Sequence, residues 1–218
     1  MRVARNVTTV NMSARLRPVS GYHHGNLRES LIETGIELAR AQGPDGVVLR
    51  EVARRTGVSH NAAYRHFADR EALLAEIARH GMRQLRAAMQ REIDAADTED
   101  HEDDKARAAA RMRATGRAYV DFAVAEPGLF DVAFSAIPDE DGLDADSDPY
   151  DLLTHVLDEA TSAGAVSPDL RPGAEVICWS AVHGFATLHV HGPRASAPAE
   201  ERNATLEVML DHIARGLA

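Results

Sequence analysis

Ser59, His60, Asn61, Tyr64, Arg65 and His66 crowd into one short segment, VSHNAAYRHF (58–67). Only alanines, a valine and a phenylalanine separate them. A protein core has no use for so many hydrogen-bonding groups, and an ordinary solvated face is richer in lysine and glutamate. Such a set can read a nucleic acid. An asparagine carboxamide pairs bidentately with adenine, and an alanine methyl packs on the thymine methyl. On this reading His60, Asn61 and Ala62 form the first exposed turn of a reading helix. Tyr64 and His66 hold the phosphate backbone, which fixes register, with Arg65 as a further DNA contact. Ser59, at the helix start, both caps free amides and meets a phosphate.

Other constellations carry less chemistry. His183, His189 and His191 could be metal ligands, but His183 lies one helical turn from Trp179 and reads as a hydrogen-bonded buried histidine. Asp144, Asp146 and Asp148 imitate the start of a calcium loop, which then needs glycine at its sixth position and glutamate at its twelfth. Pro149 and His155 stand there instead, so that reading is rejected. Cys178 sits in an apolar run without a basic neighbour and reads as an inert buried thiol rather than a redox sensor. There is no Ser/His/Asp arrangement, phosphate-binding glycine loop or convincingly spaced carboxylate pair. No metal, no cofactor and no enzymatic activity are expected. A metal-dependent enzyme with an incidental DNA-binding motif is the remote alternative, and only the histidines speak for it.

The reading segment needs a scaffold, and LREVARRTGVSHNAAYRHF (49–67) supplies one. Ala53 lies four residues before Gly57, so two helices can approach closely there. Gly57 can adopt the left-handed conformation of a sharp corner. Val52, Val58 and Ala63 fill the inside of that corner, and Phe67 returns to the core. This is the pattern of a helix-turn-helix, whose second helix lies in the DNA major groove.

Helical periodicity recurs along the whole chain, and no run alternates as a strand does. Leu27, Leu31, Gly35 and Leu38 mark a first helix stopped by QGPDG. Asp69 caps a long fourth helix with the stripe Leu74, Ile77, Ala78, Gly81, Leu85, Ala88 and Met89. Acidic breaks follow at 94–104 and 137–149, on either side of a fifth helix and of a short sixth opened by Pro127. A seventh helix ends near Gly164, Pro172 opens an eighth and Pro198 a ninth. The ninth repeats Leu206, Leu210, Ile213 and Leu217. The expected fold is all-α, about nine helices. A flexible basic arm (1–20) precedes a three-helix DNA-binding unit (21–68), and a helical bundle follows (69–218).

Charge divides the same way. The 218 residues carry a net charge of −10, yet residues 1–70 hold eleven arginines against six acidic residues. A basic first third can meet phosphate while the acidic remainder repels it, which orients the molecule. A single cysteine rules out an intrachain disulfide and fits a reducing cytoplasm. No apolar run approaches the roughly 18 residues of a membrane span. The arginine-bearing start lacks the apolar block of a signal peptide. Arg2, Arg5, Arg15 and Arg17 either reach DNA or belong to an inconsequential tail. His23 and His24 are further DNA-contact candidates, and Asn26 is either a helix cap or a phosphate contact.

From HHGNL (23–27) through YRHF to DREALLAEIA (69–78), the chain resembles the DNA-binding domain of the TetR/AcrR family of bacterial transcriptional regulators. EPGLFDVAF (126–134) resembles that family's turn into the sixth helix, and WSAVHGFATL (179–188) the Trp-His-Gly signature of one C-terminal subgroup. The chain departs from the family at Val48 and Leu49, where Ser or Thr often caps helix two, and at Ala63, commonly leucine. The resemblance implies a homodimeric repressor of a palindromic operator in double-stranded DNA, released by a small-molecule effector. The eighth helix is apolar nearly all round, which suits either the fold's interior or a subunit interface. The resemblance implies the interface, with Ser180, Gly184, Thr187, Leu206, Leu210 and Ile213 on it. Met82, Leu85, Met89, Phe122, Phe130, Phe134, Trp179 and His183 are the candidate lining of an effector cavity. A ligand-independent, architectural DNA binder is the alternative.

Overall fold

The computed structural model describes residues 27–136 and 147–218. These residues form nine α-helices and no strand. They are α1 (Leu27–Gly46), α2 (Leu49–Thr56), α3 (His60–Tyr64), α4 (Arg70–Ala96) and α5 (Asp104–Ala125). Then come α6 (Pro127–Ser135), α7 (Pro149–Ser162), α8 (Ala174–Val190) and α9 (Ala199–Leu217). The all-α architecture expected from the sequence is the one observed, with N-terminal and C-terminal helical bundles.

Local chemistry sets most boundaries. The carboxylates of Asp69, Asp103 and Asp148 accept from the backbone amides of Ala72, Ala106 and Tyr150, capping α4, α5 and α7. Proline opens α6 and α7, where its missing N–H costs nothing. The acidic segment expected to run to Pro149 therefore ends one residue sooner. QGPDG acts differently from the expected stop. Gly43 takes φ 67° and breaks the helical path, but a further turn continues to Gly46. The Arg70 guanidinium donates to the carbonyls of Pro44 (2.6 Å) and Val47 (2.8 Å), pinning that turn to the start of α4.

The core is continuous across both bundles. Leu31, Leu38, Val52, Ala63 and Phe67 close the N-terminal bundle against Leu73, Leu74 and Ile77 of α4. Farther along α4, Leu85, Met89 and Ile93 face the C-terminal bundle. The stripe expected on α4 is buried except at Ala88, which is half-buried; Leu73 and Met82 join it. α6 packs against both α1 and α4, so it touches the two bundles at once. No helix of the described residues is long and apolar enough to cross a membrane.

Candidate nucleic-acid interface and internal cavity

The corner between α2 and α3 is made by Gly57, at φ 77° and ψ 24°. Its amide donates to the Arg54 carbonyl (3.3 Å), and the Val58 amide donates to that of Ala53 (3.0 Å). These bonds satisfy the last carbonyls of α2 as the chain reverses. Val52, Ala53 and Ala63 are buried inside the turn, and Val58 is half-buried. Ser59 Oγ accepts from the Ala62 amide at 3.2 Å and starts α3. No side chain caps α2, where Val48 stands exposed.

This corner leaves His60, Asn61, Tyr64, Arg65 and His66 exposed on one short segment, with Ala62 half-buried. The His60 and Tyr64 rings lie 4.3 Å apart, centroid to centroid. Many neighbouring arginines are occupied internally. Arg28 pairs with Glu76 (2.6 Å) and Arg40 with Glu126 (2.7 Å). Arg54 and Arg55 share Glu51, and their hydrogen bonds hold its carboxyl down to about 2. Arg65 makes no ion pair among the described residues. His23, His24, Asn26 and the arginines of the basic arm lie outside the described residues.

A second site lies inside the C-terminal bundle, around Tyr119 of α5. This side chain is 1% exposed. Four aromatic rings surround it, at centroid distances of 5.1 Å (Trp179), 6.0 Å (Phe130), 6.1 Å (Phe134) and 6.3 Å (His183). Tyr119 Oη and His183 Nδ1 share a hydrogen bond of 2.8 Å. Burial pushes the phenol well above its ordinary value and the imidazole below its own, so both groups are neutral at neutral pH. Beside Tyr119 and Trp179 is a cavity of about 40 Å³, bordered also by Met89, Met112, Leu157 and Cys178. A drug-sized pocket is on the order of 300–1,000 Å³, so this one is nearly closed.

Of the eight residues expected to line a cavity, Met89 and Trp179 border it. Phe130, Phe134 and His183 form the shell around Tyr119. Met82, Leu85 and Phe122 are buried without touching it. The sequence reading passes over Tyr119 itself. Its signal is a lone phenol in an alanine-rich helix, a group that needs a partner when buried.

On the outer face of α8, Ser180, Gly184 and Thr187, expected on a subunit interface, are exposed. Val176 (59% exposed), Ile177, Leu188 and, from α9, Val208 (55%) accompany them. Leu206 and Leu210, expected on the same interface, are 1% and 6% exposed within their own chain. Leu210 leans on α5 so closely that a β-carbon at Gly116 would lie 2.5 Å from it. The ion pairs Arg117–Glu207 (2.5 Å) and Arg113–Asp211 (3.1 Å) hold the same side of α9 to α5. Leu206 and Leu210 of the α9 repeat thus lie on the face turned inward, where α9 packs on α5. Ile213 is half-buried and borders the cavity.

The remaining candidates disperse. His189 Nδ1 bonds the Phe185 carbonyl (2.9 Å), and His191 Nε2 contacts Asp131 Oδ1 (2.6 Å). Among the described residues no three His, Cys, Asp or Glu side chains are placed to hold a metal ion. Asp148 is a helix cap, and Asp144 and Asp146 lie outside the described residues. Burial pushes the Cys178 thiol up to about 11, so it stays protonated.

A glycine-cornered helix pair that exposes hydrogen-bonding side chains, joined to a helical bundle, defines a helix-turn-helix regulator. Residues 31–77 match the family model described as bacterial regulatory proteins, tetR family. Residues 112–213 match the tetracyclin repressor-like C-terminal domain. The two span more than half of the chain, which belongs to the tetR family of bacterial regulatory proteins. A solved protein of unknown function from Rhodococcus sp. RHA1 is 33% identical, covering 91% of this chain and 99% of its own, with a TM-score of 0.73. The uncharacterized HTH-type transcriptional regulator YobS of Bacillus subtilis (strain 168) is 26% identical over 75% of this chain and 79% of its own. A TetR variant from Acinetobacter baumannii AYE, solved in complex with minocycline, shares the fold. It is 18% identical, with a TM-score of 0.57 over 86% of this chain and 94% of its own. As a tetR-family member, the chain is a DNA-binding transcriptional regulator.

Proposed function

We propose that the protein is a cytoplasmic homodimeric repressor that binds a palindromic operator through α3 and leaves it when a small molecule enters the C-terminal bundle. The observation that carries the proposal is the exposed row His60, Asn61, Tyr64, Arg65 and His66 on and just after a capped helix behind a left-handed glycine. Asn61 and His60 read base edges, with Ala62 against a methyl group, while Ser59, Tyr64 and His66 hold phosphates. His23, His24 and Asn26 add contacts from the segment before α1. Residues 21–68 serve as the reading unit and 69–218 as the regulatory unit, of the Trp-His-Gly subgroup.

One α3 contacts few bases, and two related by a twofold axis engage a palindrome at fixed spacing. Val176, Ile177, Leu188 and Val208 offer the apolar outer face such a dimer needs. An effector acts by differential affinity for two arrangements of the reading heads. The small size of the cavity favours a second reading, a ligand-independent architectural binder.

Selection of bound sequences from a random DNA pool at two salt concentrations tests the first reading. A palindromic consensus is expected. Binding without an enriched motif that vanishes as salt rises would leave only electrostatic attraction and would turn the choice to the architectural reading.

A further inference from the structure

We infer that the effector is an uncharged aromatic molecule bearing one hydrogen-bonding group, which enters between Tyr119, Trp179 and His183 by taking over the Tyr119–His183 hydrogen bond. The inference rests on the effector-controlled reading above.

Among the described residues, the Tyr119 hydroxyl and His183 Nδ1 have no hydrogen-bond partner but each other, at 2.8 Å. They form a polar pair in a wall of rings and aliphatic side chains. A guest with a hydroxyl or amide can accept from one and donate to the other, so no polar atom is orphaned. Phe134 lies 6.2 Å from Trp179 and 4.8 Å from His183, both in edge contact. An aromatic guest continues that edge-to-face array.

Charge is what the site refuses. Tyr119 and His183 are neutral. Among the described residues Arg113 is the one ionic side chain bordering the cavity, and Asp211 already occupies it at 3.1 Å. An ion entering here would lose its hydration without gaining a free counter-charge.

The cavity of about 40 Å³ must widen to take a ring. Trp179 is the wall able to yield. It is half-buried, and its outer neighbour Tyr150, 5.4 Å away, is itself exposed. Tyr119 is locked in the core.

Trp179 is the protein's one tryptophan, so its emission reports on this wall alone. The full-length protein is titrated with benzyl alcohol, toluene, benzoate and benzylammonium at neutral pH. Benzyl alcohol is expected to shift the emission saturably and to bind at least about tenfold more tightly than either ion. It is also expected to bind more tightly than toluene. The double variant Tyr119→Phe/His183→Leu removes the polar pair without orphaning either member. In it toluene still binds, and the advantage of benzyl alcohol over toluene disappears. Equal or tighter binding of benzoate or benzylammonium overturns the inference, as does a flat emission with all four probes. So does an advantage for benzyl alcohol that survives the double substitution. A charged compound that releases selected DNA without moving the emission would overturn it and leave the repressor reading intact. Failure to select any DNA sequence would remove the repressor reading and leave the guest chemistry standing.

Discussion

Gly128 of α6 and Ala39 of α1 meet backbone to backbone: a β-carbon on Gly128 would overlap the Ala39 carbonyl group. The next residue of α1, Arg40, pairs with Glu126 at 2.7 Å, just before α6. Two and six residues beyond Gly128, Phe130 and Phe134 reach the rings of Tyr119 and His183. One nine-residue helix is therefore wedged against the N-terminal bundle at its start and against the aromatic cluster along its length. Packed interiors have little slack, so in the proposed effector-controlled reading α6 is the element that would carry a displacement of the two phenylalanines to α1.

Replacing Gly128 with Ala forces α6 away from α1. A loss of about 1–3 kcal/mol is expected from overpacking, read as a lower urea midpoint. An unchanged midpoint would mean that the two helices separate freely and that the contact couples nothing.

In the proposed function α3 makes two separable contributions. Asn61→Ala is expected to cost about 1–3 kcal/mol on the selected sequence while nonspecific affinity holds. Tyr64→Ala weakens all duplexes alike. Competition between selected and scrambled duplexes distinguishes them. If Asn61→Ala changes neither affinity, Asn61 does not face a base.

The corner itself can be tested by stability. Gly57→Ala places a β-carbon at φ 77°, a strain of about 1–2 kcal/mol for an L-residue. Ser59→Ala removes the cap of α3 at about 1 kcal/mol. Both variants should melt earlier in chemical denaturation and bind the selected duplex more weakly. Wild-type DNA affinity in both would show that the corner does not set the angle of α3.

Two histidines set a pH dependence. Burial lowers the imidazole of His183, and burial together with Arg83 and Arg40, against Glu126, lowers that of His80. The folded chain thus holds these protons less well than the unfolded chain. Stability is fully present above the ordinary histidine value of 6.5 and is lost as pH falls from there toward the depressed folded values. Melting temperatures measured from about pH 7 to pH 5 should fall, and fall less in the His80→Gln/His183→Gln variant. Parallel curves for the two proteins would assign the slope to other groups. Glu51 acts lower, between its ordinary 4.5 and about 2.

The outward face of α8 and α9 gives a last prediction. Ile177→Asp puts a charge on the proposed subunit contact without entering the core, since Ile177 is exposed in the single chain. Sedimentation should show a monomer with weakened operator binding. An unaltered dimer would move the interface elsewhere.

Much of this was legible along the chain. Asp69 and Ser59 could be read as caps and Gly57 as a corner, since each acts within a few residues of itself. The stripe on α4 was legible because burial repeats with the helical period. Gly43 misled in degree, because a glycine-proline pair breaks a helix without preventing another turn that Arg70 then holds. Leu206 and Leu210 are already buried within the single chain; periodicity identifies an apolar face and not what covers it.

The sequence by itself determined the all-α class, the cornered and capped reading segment and the side chains it carries. Those depend on backbone propensity and on neighbours in the chain. Only the tertiary structure decided that Tyr119 meets His183 across 64 residues, that Leu210 of α9 packs on α5 at Gly116, and that Gly128 abuts Ala39. Contacts between distant segments depend on how whole helices share one core, and no local pattern encodes which face meets which.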